Sequence, residues 1–463
     1  MTFNFETTMT QHVLRPISAA LLIFGGVTVR AQTLPPIHNL GDVESKSKEL
    51  LGAVSSVRAL PGGRVLVNDN SGRKVVLFDA SLAQFTVIAD TTSATANAYS
   101  SRAGGLIAYK GDSSLFVDPT SLSMLVLDGQ GKVARVMAVP RSQDAGALVG
   151  GGGGSPGFDA QGRLVYRASP QFNMPKRSAD GAFQLPEFPD SAPVVRIDLA
   201  TRKLDTVAFL KIPKTKMSMS QDANGRMNMT SYVNPMPITD DWAVMADGSV
   251  AVLRVQDYHV DWMRPDGKMQ STPKVPFAWR HLDDSTKVAF IDSSKTAMEK
   301  LREQLNAKSA ANPNMPLMMG PPDGGGSAGG MVAMRFEMKA GGDGPPTRAP
   351  AGGAPNAATI AVPPLTFVAP SELPDYAPPI AAGAARGDLD GNLWVRTSNV
   401  VNGGSVYDVI NGKGELIDRV AVPSGRVIAG FGPRGVVYMG VREATGGVRL
   451  EQARRKTGLA SMD

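Results

Sequence analysis

The sequence predicts an all-β chain organised as a six-bladed β-propeller with four-stranded blades, and three observations carry that expectation. Glycine (50) and proline (34) are abundant among 463 residues, while only 19% are charged, a composition of many turns and little long helix. A turn glycine, four or five mainly apolar residues and a polar end recur together along the chain. Each copy follows a run of small residues and precedes two further strand-like runs, so six units each offer four short strands.

At the N-terminus, Ile17 to Val29 is a 13-residue apolar run behind Arg15, too short for a membrane span. Val29-Arg30-Ala31 places small residues where a signal peptidase reads, so residues 1–31 are expected to be a signal peptide, cleaved before Gln32. Met9 is an alternative start that gives a more conventional leader. The product is expected in the periplasm or outside the cell, with no membrane span after cleavage. The chain contains no cysteine, which excludes disulfides, thiolate metal sites and a cysteine nucleophile. A net charge of +6 without basic runs argues against nucleic acid as a partner.

The repeat occupies 32–455, with 456–463 as a tail. Its second strands read Gly63-RVLVND, Ser113-SLFVD, Gly162-RLVYR, Gly248-SVAVLR, Gly391-NLWVR and Gly435-VVYMGVR. The first strands are the small-residue runs VSSVRAL, GGLIAYK, GSPGFDA, DDWAVMAD, AAGAARGD and VIAGFG. Small side chains are what strands converging on an axis require. The sixth unit lacks a fourth strand, and Pro36-Ile-His-Asn-Leu-Gly is expected to supply it and close the ring, removing a free edge. Asp388-Leu-Asp-Gly391 fits a turn better than a metal loop, because NLWVRT offers no further oxygen ligands.

This arrangement resembles the exported six-bladed propellers of the NHL and TolB-like type. The resemblance rests on Asp390-GNLWV, DDWAVMADGSVAV (240–252) and YHVDWMRPDG (258–267), and it speaks to fold rather than activity.

Insertions gather on one end: 91–103, 141–155 with its glycine run, 168–192, 214–239, 278–379 and 397–404. Loops on a rigid scaffold carry function, so that end is the expected site. Within 278–379, Asp284–Ala307 reads as a helix with Val288, Ile291, Met298, Leu301 and Leu305 on one face. Residues 308–368 are Gly/Pro/Ala-rich and expected to be disordered. Methionines at 217, 219, 227, 229, 318 and 319 read as adaptable packing more than Cu(I) ligands.

The second strands end at the built-up face in Asp69, Asp118, Arg167, Arg254, Arg396 and Arg442. Equivalent positions on successive blades form a ring, and converging guanidiniums repel unless paired or given an anion. These six residues are the candidate ligand-binding set. The bland alternative pairs the arginines with Asp69, Asp118, Asp257 or Glu443. No inner strand carries a histidine and no nucleophile elbow is evident, so no catalytic residue, cofactor or metal is assigned. The expected function is an exported monomer that binds a small anionic ligand or a protein partner as a scaffold, more a binding module than an enzyme. The alternative is a propeller-type lyase or lactonase with its site at the channel mouth.

Overall fold

The computed structural model describes residues 33–92, 98–100, 103–150, 153–170, 187–221, 227–311, 365–444 and 446–456. The leader at 1–31 and most of the 308–368 segment lie outside the described residues.

Among the described residues the architecture is all-β, with seven separate sheets and one long helix. The first four sheets each hold four antiparallel strands in chain order. Their innermost strands are Ser56–Ala59, Gly105–Ala108, Gly157–Phe158 and Asp241–Val244, followed by Val65–Asp69, Ser114–Asp118, Leu164–Arg167 and Val250–Arg254. The fifth is built from Ile380–Gly387, Leu393–Val401, Gly404–Ile410 and Leu416–Val422, and the sixth from Arg426–Phe431, Val436–Arg442 and Val448–Arg454. These strands form because β-branched and aromatic runs alternate with turns whose geometry the sequence encodes. At Asp128, Asp159 and Asp388, a carboxylate oxygen accepts the N–H groups two and four residues on. The glycine completing the last of these turns, Gly391, has φ +85°, a conformation glycine adopts without a steric penalty. Asp388 also accepts Trp394 Nε1 and Asn392 Nδ2, both at 2.9 Å. It is a turn and strand anchor, as the sequence predicted.

Hydrophobic cores lie between successive sheets. Phe116 and Leu127 meet Leu66 and Val75 between the first two, and Val117 meets Tyr166 and Val195 between the second and third. Val165 and Trp242 join the third to the fourth, and Leu253 and Val395 join the fourth to the fifth. Trp394 and Met439 join the fifth to the sixth, and Tyr438 and Val67 join the sixth to the first.

The predicted six-bladed propeller, closed into a ring by residues 36–41 on its last blade, is corrected here. Among the described residues no sheet is closed into a ring, the fifth sheet has five strands, and a seventh, three-stranded sheet is present. Ile37–Asn39 pairs in parallel with Leu416–Val422 of the fifth sheet. The fourth strand of the sixth sheet is instead Val43–Lys46, antiparallel to Val448–Arg454. The cause is Leu40. It is buried in the core between the fifth and sixth sheets, and its N–H donates to Ala421 O at 3.0 Å. The chain therefore finishes on one sheet before stepping to the next at Gly41, where any Cβ would collide with the carbonyl of Arg454.

The seventh sheet pairs Lys216–Gln221 with Met227–Val233 and, in parallel, Thr366–Phe367. Its signal was the alternation KMSMSQ, which was assigned to a loop. The helix Asp284–Ala311 starts on Asp283, whose Oδ1 accepts Thr286 N at 2.7 Å as an N-cap. Its buried face carries Ile291, which packs with Met236, Leu282, Val368 and Leu373. Val288, expected on that face, is exposed. Lys287 is buried in its stead and reaches Asp375 at 2.7 Å, its long stem lying against apolar surface.

Candidate functional site

The six candidate residues do not share one environment. Asp69 is fully buried and accepts the N–H groups of Gly52, Ala53 and Gly72 at 2.7–2.9 Å, fixing the approach to the first sheet. Asp118 accepts from the N–H and hydroxyl of Ser100, from Thr120 N and from Ser121 Oγ. Burial raises its pKa, but those hydrogen bonds outweigh burial and hold it below the usual carboxylate range. Arg442 is exposed.

Arg254 is paired. Its Nη1 donates to Asp240 Oδ2 and to Phe209 O, and its Nε to Asp261 Oδ2, each at 2.8 Å. Burial opposes its charge, yet the two carboxylates prevail and its pKa is raised. Asp261 continues into His259, which sits between Asp261 (3.3 Å) and Asp257 (2.6 Å). Glu443, another expected partner, holds Arg449. Among the described residues, none of these arginines pairs with an acid expected for it; Arg254 pairs instead with Asp240 and Asp261.

Arg167 and Arg396 lead to a different place. Arg167 ends its strand half-buried beside Gly153, where an added Cβ would lie 3.0 Å from Nη2. Gly153 O accepts Trp242 Nε1 at 2.8 Å, so the glycine loop rests on the indole next to Asp241. Burial lowers the Arg167 pKa, and Asp241 acts against it.

Asp241 is the first residue of the fourth innermost strand and is 2% exposed. Its Oδ2 accepts the N–H groups of Ala384 (2.6 Å) and Ala385 (2.9 Å) on the neighbouring innermost strand, and its Oδ1 accepts Trp242 N at 2.8 Å. Three of the roughly four lone-pair positions of a carboxylate are therefore used, leaving one on Oδ1. Burial raises its pKa to about 6, against the pull of these N–H groups and of Arg167.

Arg386 lies on the same innermost strand as Ala384 and Ala385. It pairs in register with Trp394, while Arg396 pairs with Tyr407. Strand side chains alternate faces with period two, so Arg386 and Arg396 are diagonal neighbours on one face, the spacing at which long side chains interact. The apolar residues of that face pack against Ile428, Phe431, Val437 and Met439 of the sixth sheet. Burial lowers the Arg386 pKa; Tyr407 and Asp241 oppose this, whereas the Arg396 charge adds to it. Among the described residues, neither guanidinium has a hydrogen bond or ion pair.

Sequence reasoning missed Asp240, Asp241 and Arg386. Their signals were present: a paired acid opening an innermost strand, and one arginine inside the small-residue run AAGAARG. Among the described residues, no three His, Asp or Glu side chains gather as a metal site.

No family model matches the chain, and no curated protein does. Solved structures do. A putative gluconolactonase is 10% identical, with 90% of this chain and 95% of that one covered and a TM-score of 0.36. A streptogramin B lyase is 10% identical over 89% and 86%, with a TM-score of 0.32. A PQQ-bound aldose sugar dehydrogenase from Streptomyces coelicolor is 11% identical over 91% and 100%, with a TM-score of 0.37. These similarities concern an all-β, multi-sheet fold. At this level of likeness the names assign no activity to this chain. The similar structures include lyases and a dehydrogenase, and the expectation that this chain is more a binding module than an enzyme is not carried forward.

Proposed function

We propose that the protein is an enzyme of the propeller lyase or lactonase kind, acting on an organic anion where Asp241 meets Arg167 and Arg386. The observation that carries this reading is Asp241 itself. It is a buried carboxyl whose pKa is raised to about 6, with two guanidiniums coupled to it and one lone-pair position uncommitted.

A carboxylate with that pKa is ionised at neutral pH, yet it is a stronger base than an exposed aspartate, which suits proton abstraction. Removing a proton next to a carbonyl, or from a water attacking a lactone, places negative charge on the carbonyl oxygen. Fixed guanidiniums stabilise that charge as it develops. In this reading Asp241 moves the proton, while Arg167, Arg386 and Arg396 hold the substrate and its oxyanion. Asp69, Asp118 and Arg254 remain structural ties, and Arg442 lies outside.

The test is a panel of lactones and of carboxylates bearing a β leaving group, followed by proton release and alkene absorbance. Asp241→Asn is expected to lower kcat/KM at least 100-fold on any substrate turned over, and the wild-type rate should fall on the acid side of about pH 6. A wild-type rate in Asp241→Asn removes Asp241 from the chemistry.

The reading includes export to the periplasm or beyond. The apolar run 17–29 and the Val29-Arg30-Ala31 site support it, and among the described residues no helix is long and apolar enough to cross a membrane. An intact mass beginning at Gln32 is expected from exporting cells.

A further inference from the structure

We infer that the exposed aromatic corner formed by Trp279 and Tyr376, in the segments that link the fourth and fifth sheets, binds a quaternary ammonium group. The residues differ from those of the site proposed above, and the inference does not rest on that reading.

The corner is the outer end of a row of rings that begins in the core. Tyr258 is fully buried in the core between the fourth and fifth sheets. Its ring lies 5.3 Å from that of Phe277, which packs half-buried against the same core. Phe277 then meets Trp279 at 5.6 Å, and Trp279 meets Tyr376 at 6.5 Å. The planes turn by 68°, 76° and 86° at these steps, so the last two rings stand as walls at a right angle. Both walls face solvent: Trp279 is 39% exposed and Tyr376 49%, whereas Trp242, Trp262 and Trp394 are each 1% exposed.

The backbone holds these walls in place. Leu282 N–H donates to Asp375 O at 2.8 Å, and Ala377 N–H to Arg280 O at 3.0 Å. These bonds flank the antiparallel bridge between His281 and Tyr376 and make it the closely spaced kind of pair. The two rings meet at 5.2 Å and 77°. Lys287, buried at the start of the helix, ties down the same turn through Asp375 at 2.7 Å. A site already formed before its ligand arrives avoids the cost of ordering loose side chains.

Ring geometry selects a cation. The face of an aromatic ring is negative and its edge positive, so two faces at a right angle offer one cation attraction from two sides, as in aromatic cages for quaternary ammonium groups. The charges nearby agree. Asp283, Asp284 and Asp375 are exposed beside the rings, and Lys287 offsets one of them. Arg280 lies between Trp279 and His281, which both touch Tyr376, so strand alternation directs it to the other side. Lys274 sits 3.8 Å from Asp257. A primary ammonium carries three N–H donors that ring faces satisfy poorly. A trimethylammonium group has none, and its methyl groups cover the exposed apolar surface.

The experiment follows tryptophan emission of the full chain at pH 8 during titration with choline chloride, with sodium chloride as the ionic-strength control. The comparison ligand is 3,3-dimethylbutan-1-ol, which has the shape of choline without its charge. Choline is expected to change the emission saturably at millimolar concentration and to bind at least 10-fold more tightly than the alcohol. Tyr376→Leu should weaken choline at least 5-fold, whereas Tyr376→Phe, which keeps the ring, should stay within 2-fold. Calorimetry of Trp279→Leu should show a loss like that of Tyr376→Leu. Phosphatidylcholine vesicles, run against phosphatidylglycerol vesicles, separate the sources of the group. Choline binding without flotation identifies a free ligand, and flotation with phosphatidylcholine alone identifies a lipid headgroup.

Equal binding of choline and the alcohol would make the corner a plain apolar patch and overturn the inference. So would the absence of a saturable change in wild type, or undiminished choline binding in both leucine variants. The wild-type comparison needs no substitution, so it decides the question even where a variant fails to fold.

Discussion

Asp240 and Asp241 are adjacent in the chain and serve the two opposite seams of the fourth sheet. Asp240 turns outward to Arg254 Nη1 (2.8 Å), Lys211 N (3.0 Å) and Val255 N (3.2 Å). Asp241 turns inward to the N–H groups of Ala384 and Ala385. One dipeptide thus binds the fourth sheet to the third on one side and to the fifth on the other. Asp241→Ala removes the carboxylate acceptor of three N–H groups, two of them across the seam, and should cost roughly 2–6 kcal/mol. Asp241→Asn retains one acceptor oxygen and should cost less. Urea denaturation of both variants measures the difference.

The pKa of Asp241 also predicts how stability changes with pH. Its folded value, about 6, lies above the ordinary 3.8, so between those values the folded chain holds the extra proton. Its contribution is fully present below about pH 4 and is lost as pH rises through 6, a difference of roughly 3 kcal/mol at this site. Asp408 is raised to about 6 by the same cause, burial, and acts with the same sign. Asp241→Asn should flatten part of that decline in melts taken from pH 4 to 7, relative to wild type.

Gly154 has φ +89°, and a Cβ there would collide with the indole nitrogen of Trp242. Gly154→Ala should destabilise by about 1–3 kcal/mol. It should also displace the loop that shields Trp242 and sits beside Arg167. A red shift in tryptophan emission, together with a lower melting temperature, is the expected pair of readouts.

Tyr258 donates to Asp408 Oδ2 at 2.8 Å across the fourth and fifth sheets, and the other neighbour of this carboxylate, Arg419, lies at 3.5 Å. Tyr258→Phe should cost about 1–3 kcal/mol by leaving a buried acceptor unsatisfied. Tyr166→Phe removes a similar bond to Asp144, but Arg141 remains there at 3.1 Å. It should cost less, as guanidinium denaturation of the two variants will register.

Removing residues 1–40 should speed amide exchange in Leu416–Val422 and spare Val448–Arg454, because Ile37–Asn39 pairs with the former. Removing residues 1–47 should expose both, since Val43–Lys46 covers the latter. Exchange that rises first in Val448–Arg454 would contradict the observed pairing.

The sequence by itself determined the local structure. Runs such as RVLVND, LWVRT and VVYMGVR have one apolar pattern and glycine-bearing turns, so their strands and hairpins follow from period and turn chemistry, both encoded within about ten residues. The arginines at strand ends were legible for the same reason. The tertiary structure alone decided which strands met across the chain and which charges met each other. Residues 37–39 are equally able to extend any open edge; the burial of Leu40 between two sheets chose the fifth. Asp241 finds Ala384 and Ala385, 143 and 144 residues away, where a register shift between Ile380 and Ala385 turns two N–H groups toward it. Arg386 and Arg396 become neighbours by strand register. Pairings of this kind depend on packing between distant segments, and no local period records them.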